Sequence, residues 1–172
     1  DRVAKHTGGR VLSTAASAEQ VAAGALNLGL TLSGYGDVWI LGTDPAEHLA
    51  AALRSATPPL VFDCSFELTN HAAGQQAYAG GHVPGARYVH LEHALSTAKT
   101  GRNGRHPLPD RATFAQTMAA LGVGDDDQVV AYDNAGGMYA ARLWWMLRWA
   151  GHRAVAVLDG GIDAWKAAGL PL

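Results

Sequence analysis

Val129-Val130-Ala131-Tyr132-Asp133-Asn134-Ala135-Gly136-Gly137 runs directly into Met138-Tyr139-Ala140-Ala141-Arg142-Leu143-Trp144-Trp145-Met146-Leu147-Arg148-Trp149-Ala150. The first four residues, within a strand read over Gln128 to Tyr132, are apolar at odd and even positions alike, as a strand is when both its faces are covered. The last thirteen form an aromatic-rich helix. Between them lies a five-residue loop with two glycines, and a crowded turn into a helix favours residues that tolerate positive φ. A strand, a Gly-rich loop and a helix N-terminus in that order present backbone N–H groups and the positive end of a dipole, which together favour an anion. In an open parallel sheet, the carboxyl end of a central strand is also where ligands bind.

The same rhythm extends outward. Downstream, Ala154 to Leu158 reads as another strand and Ile162 to Ala168 as a helix. Upstream, Gly122 to Asp127 form a turn, and Asp110 caps a helix carrying Phe114, Met118 and Leu121. A long loop covers roughly Ser96 to Pro109, and a short strand, Ala86 to Val89, follows the Pro84-Gly85 turn. A helix over Ala72 to Tyr78 ends at Gly80-Gly81, and Pro58-Pro59 introduces a strand over Leu60 to Asp63. Val38-Trp39-Ile40-Leu41 reads as the first strand. Asp44 then suits an N-cap, Pro45 the first helical position and Glu47 the reciprocal position of a capping box, with Leu49 and Leu53 on one face. Strands alternating with helices predict an α/β fold of three layers, a central parallel sheet with helices on both faces. Residues 38–172 form that domain. Residues 1–37 read as an N-terminal extension of unknown role, in which Ser17 to Leu32 could form an Ala-rich helix weakened by Gly24 and Gly29.

Composition narrows the classes of function. Hydrophobic residues at 48% and charged residues at 16% describe a globular core, and a net charge of -2 provides no field for nucleic acid or an anionic membrane. Cys64 is the one cysteine, so an internal disulfide and a Cys-based zinc cluster are excluded. That fits a reducing, cytoplasmic setting. No apolar stretch reaches the roughly 20 residues that span a bilayer. The chain begins at Asp1 rather than Met, which reads as processing or truncation.

Several motifs in order resemble the rhodanese family. They are Val61-Phe62-Asp63, then Gly81-His82-Val83-Pro84-Gly85-Ala86, and Leu158-Asp159-Gly160-Gly161 followed by Ala164-Trp165. Lys99 to Pro109 and Ala141 to Arg148 resemble more narrowly the first domain of tandem thiosulfate or 3-mercaptopyruvate sulfurtransferases. The resemblance runs from about residue 59 to 171, is weaker over 38–58, and is absent before that. It implies sulfur transfer by a cysteine thiolate at the head of the amide-lined loop, carried as a persulfide and needing no cofactor or metal. Here Asp133 stands at that position. The resemblance therefore implies a non-catalytic first domain, with Asp133, Asn134, Ala135, Gly136 and Gly137 as the equivalent of the anion loop. The active cysteine would belong to a second rhodanese domain beyond Leu172, and the partners would be that domain and an anionic sulfur donor. A free-standing inactive binding or regulatory module is the alternative.

Other candidates are weighed on their residues. Lys99, Arg102, Arg105 and His106 form a basic cluster that would border the cleft and favour anionic donors. His82 is expected to hold a tight turn through backbone or Asp63, or else to face the cleft. Trp145, with Trp144 and Trp149, is expected in core and domain-interface packing. Cys64 reads as a small buried residue, and Asp133 as a carboxylate satisfied by the N–H groups that follow it. His90 and His93 with Glu92 lack a third ligand for a metal. An independent enzyme working through Asp133 or Cys64, as in rhodanese-like phosphatases, would need a cysteine and an arginine bracketing the loop.

Overall fold

The structure is a computed structural model that describes residues 30–31, 37–38 and 44–172. Strands β1 (Leu30–Thr31) and β2 (Asp37–Val38) pair antiparallel. The helix expected over Ser17 to Leu32 is therefore corrected at its end, where Leu30–Thr31 is extended; the rest of it lies outside the described residues. Of the first expected strand, Val38 belongs to β2, and Trp39 to Leu41 lie outside the described residues.

The domain proper follows the order α1 (Pro45–Ala52), β3 (Leu60–Asp63), α2 (Ala73–Gly80), β4 (Arg87–Tyr88), α3 (Arg111–Ala120), β5 (Val129–Tyr132), α4 (Met138–Ala150), β6 (Val155–Val157) and α5 (Gly161–Ala167). The four later strands form one parallel sheet in the order β4-β3-β5-β6. Register sets Asp63 beside Tyr132 and Ala131 beside Val157, so the carboxyl ends of the two central strands lie level.

Alternation along β5 divides the core. Val129 and Ala131 turn to one face, where Phe114 and Met118 of α3 and Tyr139, Leu143, Met146 and Leu147 of α4 cover them. Val130 and Tyr132 turn to the other, against Ala46 and Leu49 of α1 and Ile162 and Trp165 of α5. All four β5 residues are buried, as the two-sided apolar run requires. The three layers and the parallel sheet are those expected.

Two caps differ in outcome. Asp110 accepts a 2.9 Å bond from the Thr113 amide and starts α3 as read from the sequence. Asp44 occupies the N-cap of α1 with Pro45 at the first turn, but its side chain makes no capping bond. The capping box with Glu47 is thus corrected: the fixed φ of Pro45 supplies the helix start without it. No described helix is long and apolar enough to cross a membrane.

Candidate functional site: an amide cradle closed by Asp133

Asp133 leaves the end of β5 and is 1% exposed. Its carbonyl is fixed first. The Ile162 amide donates to it at 3.1 Å, and Gly161 sits so close that a Cβ there would lie 2.2 Å from the same oxygen. Gly161 has φ +54°, so both its space and its backbone conformation demand glycine. The residues after Leu158 thus hold the loop from below.

The side chain then turns into the loop. Its Oδ1 accepts from the amides of Ala135 and Gly137, both at 2.8 Å. Its Oδ2 accepts from the amides of Tyr139 at 2.7 Å and Ala140 at 2.8 Å. Gly136 and Gly137, at φ +69° and +88°, make the bend that converges these donors. Four N–H groups, two of them orphan donors of the first turn of α4, are satisfied by one carboxylate. A buried carboxylate is tolerated in such a place because four amides donate to it. The protein's own side chain fills the anion site.

Cys64 is placed differently. It follows β3, its amide donates to the Tyr132 carbonyl at 2.8 Å, and it is 1% exposed within the apolar core. Burial pushes its thiol pKa up, and the nearby carboxylates of Asp63 and Asp133 push it further. It is a protonated thiol, unsuited to nucleophilic attack. Asp63 accepts from the Ser65 amide at 2.8 Å, and the Tyr132 hydroxyl accepts from the Val83 amide at 3.2 Å. Burial, and then the Asp63 carboxylate, raises the Tyr132 pKa.

The long loop joins the site through Arg142, Glu92 and Phe66, of which the sequence marks Glu92 only beside His90 and His93. Arg142, two residues beyond the last amide of the cradle, donates to the carbonyls of Leu95 and His106, each at 2.8 Å. Glu92 receives Lys99 at 2.5 Å and His71 at 2.9 Å, with His106 at 3.9 Å. Phe66 lies between these groups and the cradle, its ring 5.6 Å from that of Tyr139 and 6.2 Å from that of His106. Arg102 and Arg105 stay exposed on the same loop. No local pattern marks the roles of Arg142 and Phe66, which reach Leu95, His106 and Tyr139 across 36 or more residues; Glu92 meets Lys99 seven residues on, and His71 and His106 farther away.

His82 does not join Asp63. Its Nδ1 pairs with the Tyr78 carbonyl at 2.8 Å and its ring stacks on that of Tyr78 at 3.9 Å, so it holds the turn after α2. His90 and His93 stack at 4.0 Å, but His90 uses both ring nitrogens, toward the His71 carbonyl and the Glu92 amide. Among the described residues, no group of three or more His, Cys, Asp or Glu side chains is arranged to hold a metal ion. Trp145 is 46% exposed, while Trp144 and Trp149 are partly buried against the core.

Residues 46–168 match the rhodanese-like domain family. This chain belongs to the rhodanese family. It is similar to a protein of Pseudomonas aeruginosa described as a probable 3-mercaptopyruvate sulfurtransferase, with 49% identity over 129 residues, 74% of this chain and 45% of that protein. It is also similar to the thiosulfate sulfurtransferase of Bos taurus, with 37% identity over 136 residues, 78% of this chain and 43% of that protein. The rhodanese domain thus spans less than half the length of these curated relatives. Among solved structures, the 3-mercaptopyruvate sulfurtransferase from Leishmania major superposes with a TM-score of 0.63 at 36% identity, covering 74% of this chain and 34% of that one. The corresponding enzyme of Escherichia coli gives 0.64 at 31% identity, covering 78% and 51%.

Proposed function

We propose that this chain is the non-catalytic first domain of a two-domain thiosulfate or 3-mercaptopyruvate sulfurtransferase, and that it forms one wall of the cleft in which a second domain reacts. The observation that carries this reading is the Asp133 carboxylate seated on four backbone amides. A carboxylate cannot accept a sulfane sulfur as a persulfide. Its charge also occupies the donors that a transferring sulfur anion would need, and it repels an anionic donor.

The chemistry then belongs to a cysteine thiolate of the second domain. That thiolate attacks the outer sulfur of thiosulfate, the sulfur–sulfur bond breaks, and sulfite leaves with its electron pair. The resulting persulfide passes its terminal sulfur to a nucleophilic acceptor and returns to thiolate. This domain would contribute charge. Arg102 and Arg105 lie exposed on the long loop, close in sequence to Lys99 and His106, and such a group raises the local concentration of anionic donors. Arg142 would hold that loop in place through its two carbonyl bonds.

The deciding experiment mixes thiosulfate and cyanide with the full gene product and, separately, with the 172-residue chain. Thiocyanate should form with the first and not with the second. Persulfide on the isolated chain would overturn the reading. A reading frame that ends near Leu172 would replace it with that of a free-standing inactive module.

A further inference from the structure

The outer flank of α4 carries a patch that the cradle does not use. Trp145 is 46% exposed and stacks on Trp149 at 5.9 Å with their planes 7° apart. Arg111, at the start of α3, lies over Trp149 at 5.1 Å, and Arg148 lies over Trp144 at 5.5 Å. Arg142 binds the His106 carbonyl and Arg111 covers Trp149, so segment 106–111 runs along α4 for about 10 Å. Leu108, within that segment, is 42% exposed. Among the described residues, neither Arg111 nor Arg148 has a carboxylate within 4.0 Å; the ion pairs there all converge on Glu92.

A stacked tryptophan pair, an exposed leucine and two unpaired guanidinium groups have the composition of a binding hot spot. The two guanidinium groups outnumber the adjoining Asp110 carboxylate, although the chain as a whole carries -2. The matching surface is therefore acidic at its rim and apolar at its centre. Relatives such as the Pseudomonas protein carry more than half of their length outside the region that this chain matches, which supplies a surface of domain size. Resting on the two-domain reading above, we propose that the Leu108–Trp145–Trp149 patch with Arg111 and Arg148 docks an acidic face of the second domain of the same polypeptide.

Hydroxyl-radical footprinting of the full gene product tests this residue by residue. Trp165, 2% exposed, is the internal standard for a covered indole. Trp145 should oxidise as slowly as Trp165. It should speed up by about tenfold in the double variant Arg111→Glu/Arg148→Glu, or with the milder Arg111→Gln/Arg148→Gln pair should the reversal not fold. The unaltered protein should respond in the same direction in 1 M salt, where the Debye length falls to about 3 Å. Fast oxidation of Trp145 in an enzyme that still forms thiocyanate would overturn the docking surface and leave the two-domain reading standing. Protection that neither charge reversal nor salt relieves would overturn the acidic partner. A gene product without a second domain would overturn both.

Discussion

The carboxylate of Asp133 and the backbone amide of Ala140, seven residues apart, meet at 2.8 Å across the junction of β5 and α4. This bond and its three companions tie the strand, the loop and the first turn of α4 into one unit. Removing the carboxylate leaves four converging N–H groups without an acceptor. Asp133→Ala should therefore cost about 3 kcal/mol or more, read by urea denaturation, because each bond to a charged group contributes and each orphaned amide penalises. Asp133→Asn should also destabilise, since its NH2 group faces donors. Sulfate should recover part of the alanine variant's loss by occupying the vacated amides, and should leave the unaltered chain unmoved. Equal responses of the two proteins to sulfate would show that the cradle does not select anions.

Arg142 should govern the long loop rather than the core. Its guanidinium donates to Leu95 and His106 from a half-buried position, and burial lowers its pKa without discharging it. Arg142→Gln should cost about 2 kcal/mol. Hydrogen exchange should rise across residues 96–109 and stay unchanged in β3 and β5. Uniform loss of protection across the sheet would mean that Arg142 supports the core instead.

Much of this is legible in the sequence, for a definable reason. The strands Leu60–Asp63 and Val129–Tyr132, the cap at Asp110 and the positive-φ pair Gly136-Gly137 are local features, and local propensity decided them. The closure of the cradle by Asp133 could be anticipated because donor and acceptor lie within seven residues. Arg142, Glu92 and Phe66 could not be read that way. Arg142 and Phe66 meet partners from separate segments that only the fold brings together, and a single charged residue on a helix gives no sign of which loop it will clamp; Glu92 takes Lys99 and His106 from the loop that follows it, but His71 from before α2. Asp44 shows the opposite failure: the motif is present, and Pro45 makes it unnecessary.

Acid should loosen the loop cluster. His106 has a lowered pKa, chiefly from burial and then from Lys99, opposed by Glu92; Arg142 and Arg105 add to the lowering. His90 is lowered by burial and then by His93. The folded chain therefore binds fewer protons at these sites than the unfolded chain, whose histidines titrate near 6.5. Stability from this source is complete above that value and declines as pH falls below it. Glu92, its pKa lowered first by the bond from Lys99, adds a second loss of the same sign below the ordinary carboxylate range. Melting temperature followed downward from pH 7 should fall, and His106→Gln should flatten the first part of the curve. A melting temperature that rises on mild acidification would mean that pairing with Glu92 outweighs burial.

Two thiols in one protein would separate the two environments that the sheet creates. Cys64 sits among apolar side chains and beside two carboxylates, and its pKa is raised. A thiol introduced by Asp133→Cys would sit where the carboxylate now meets four amides at the N-terminus of α4. Those donors favour the ionised form, so its pKa should fall below the ordinary value of about 8.5. Thiolate absorbance followed against pH needs no reagent to enter the buried loop. The variant should show one thiolate forming below about pH 8 and none from Cys64 until the chain unfolds. In the unaltered protein, Cys64 should remain unreactive to a thiol reagent at neutral pH and react at once in guanidinium chloride. An introduced thiol that ionises no earlier than a free one would mean that the amides of Ala135, Gly137, Tyr139 and Ala140 converge only because Asp133 draws them in. The anion site would then be made by its occupant and not by the loop.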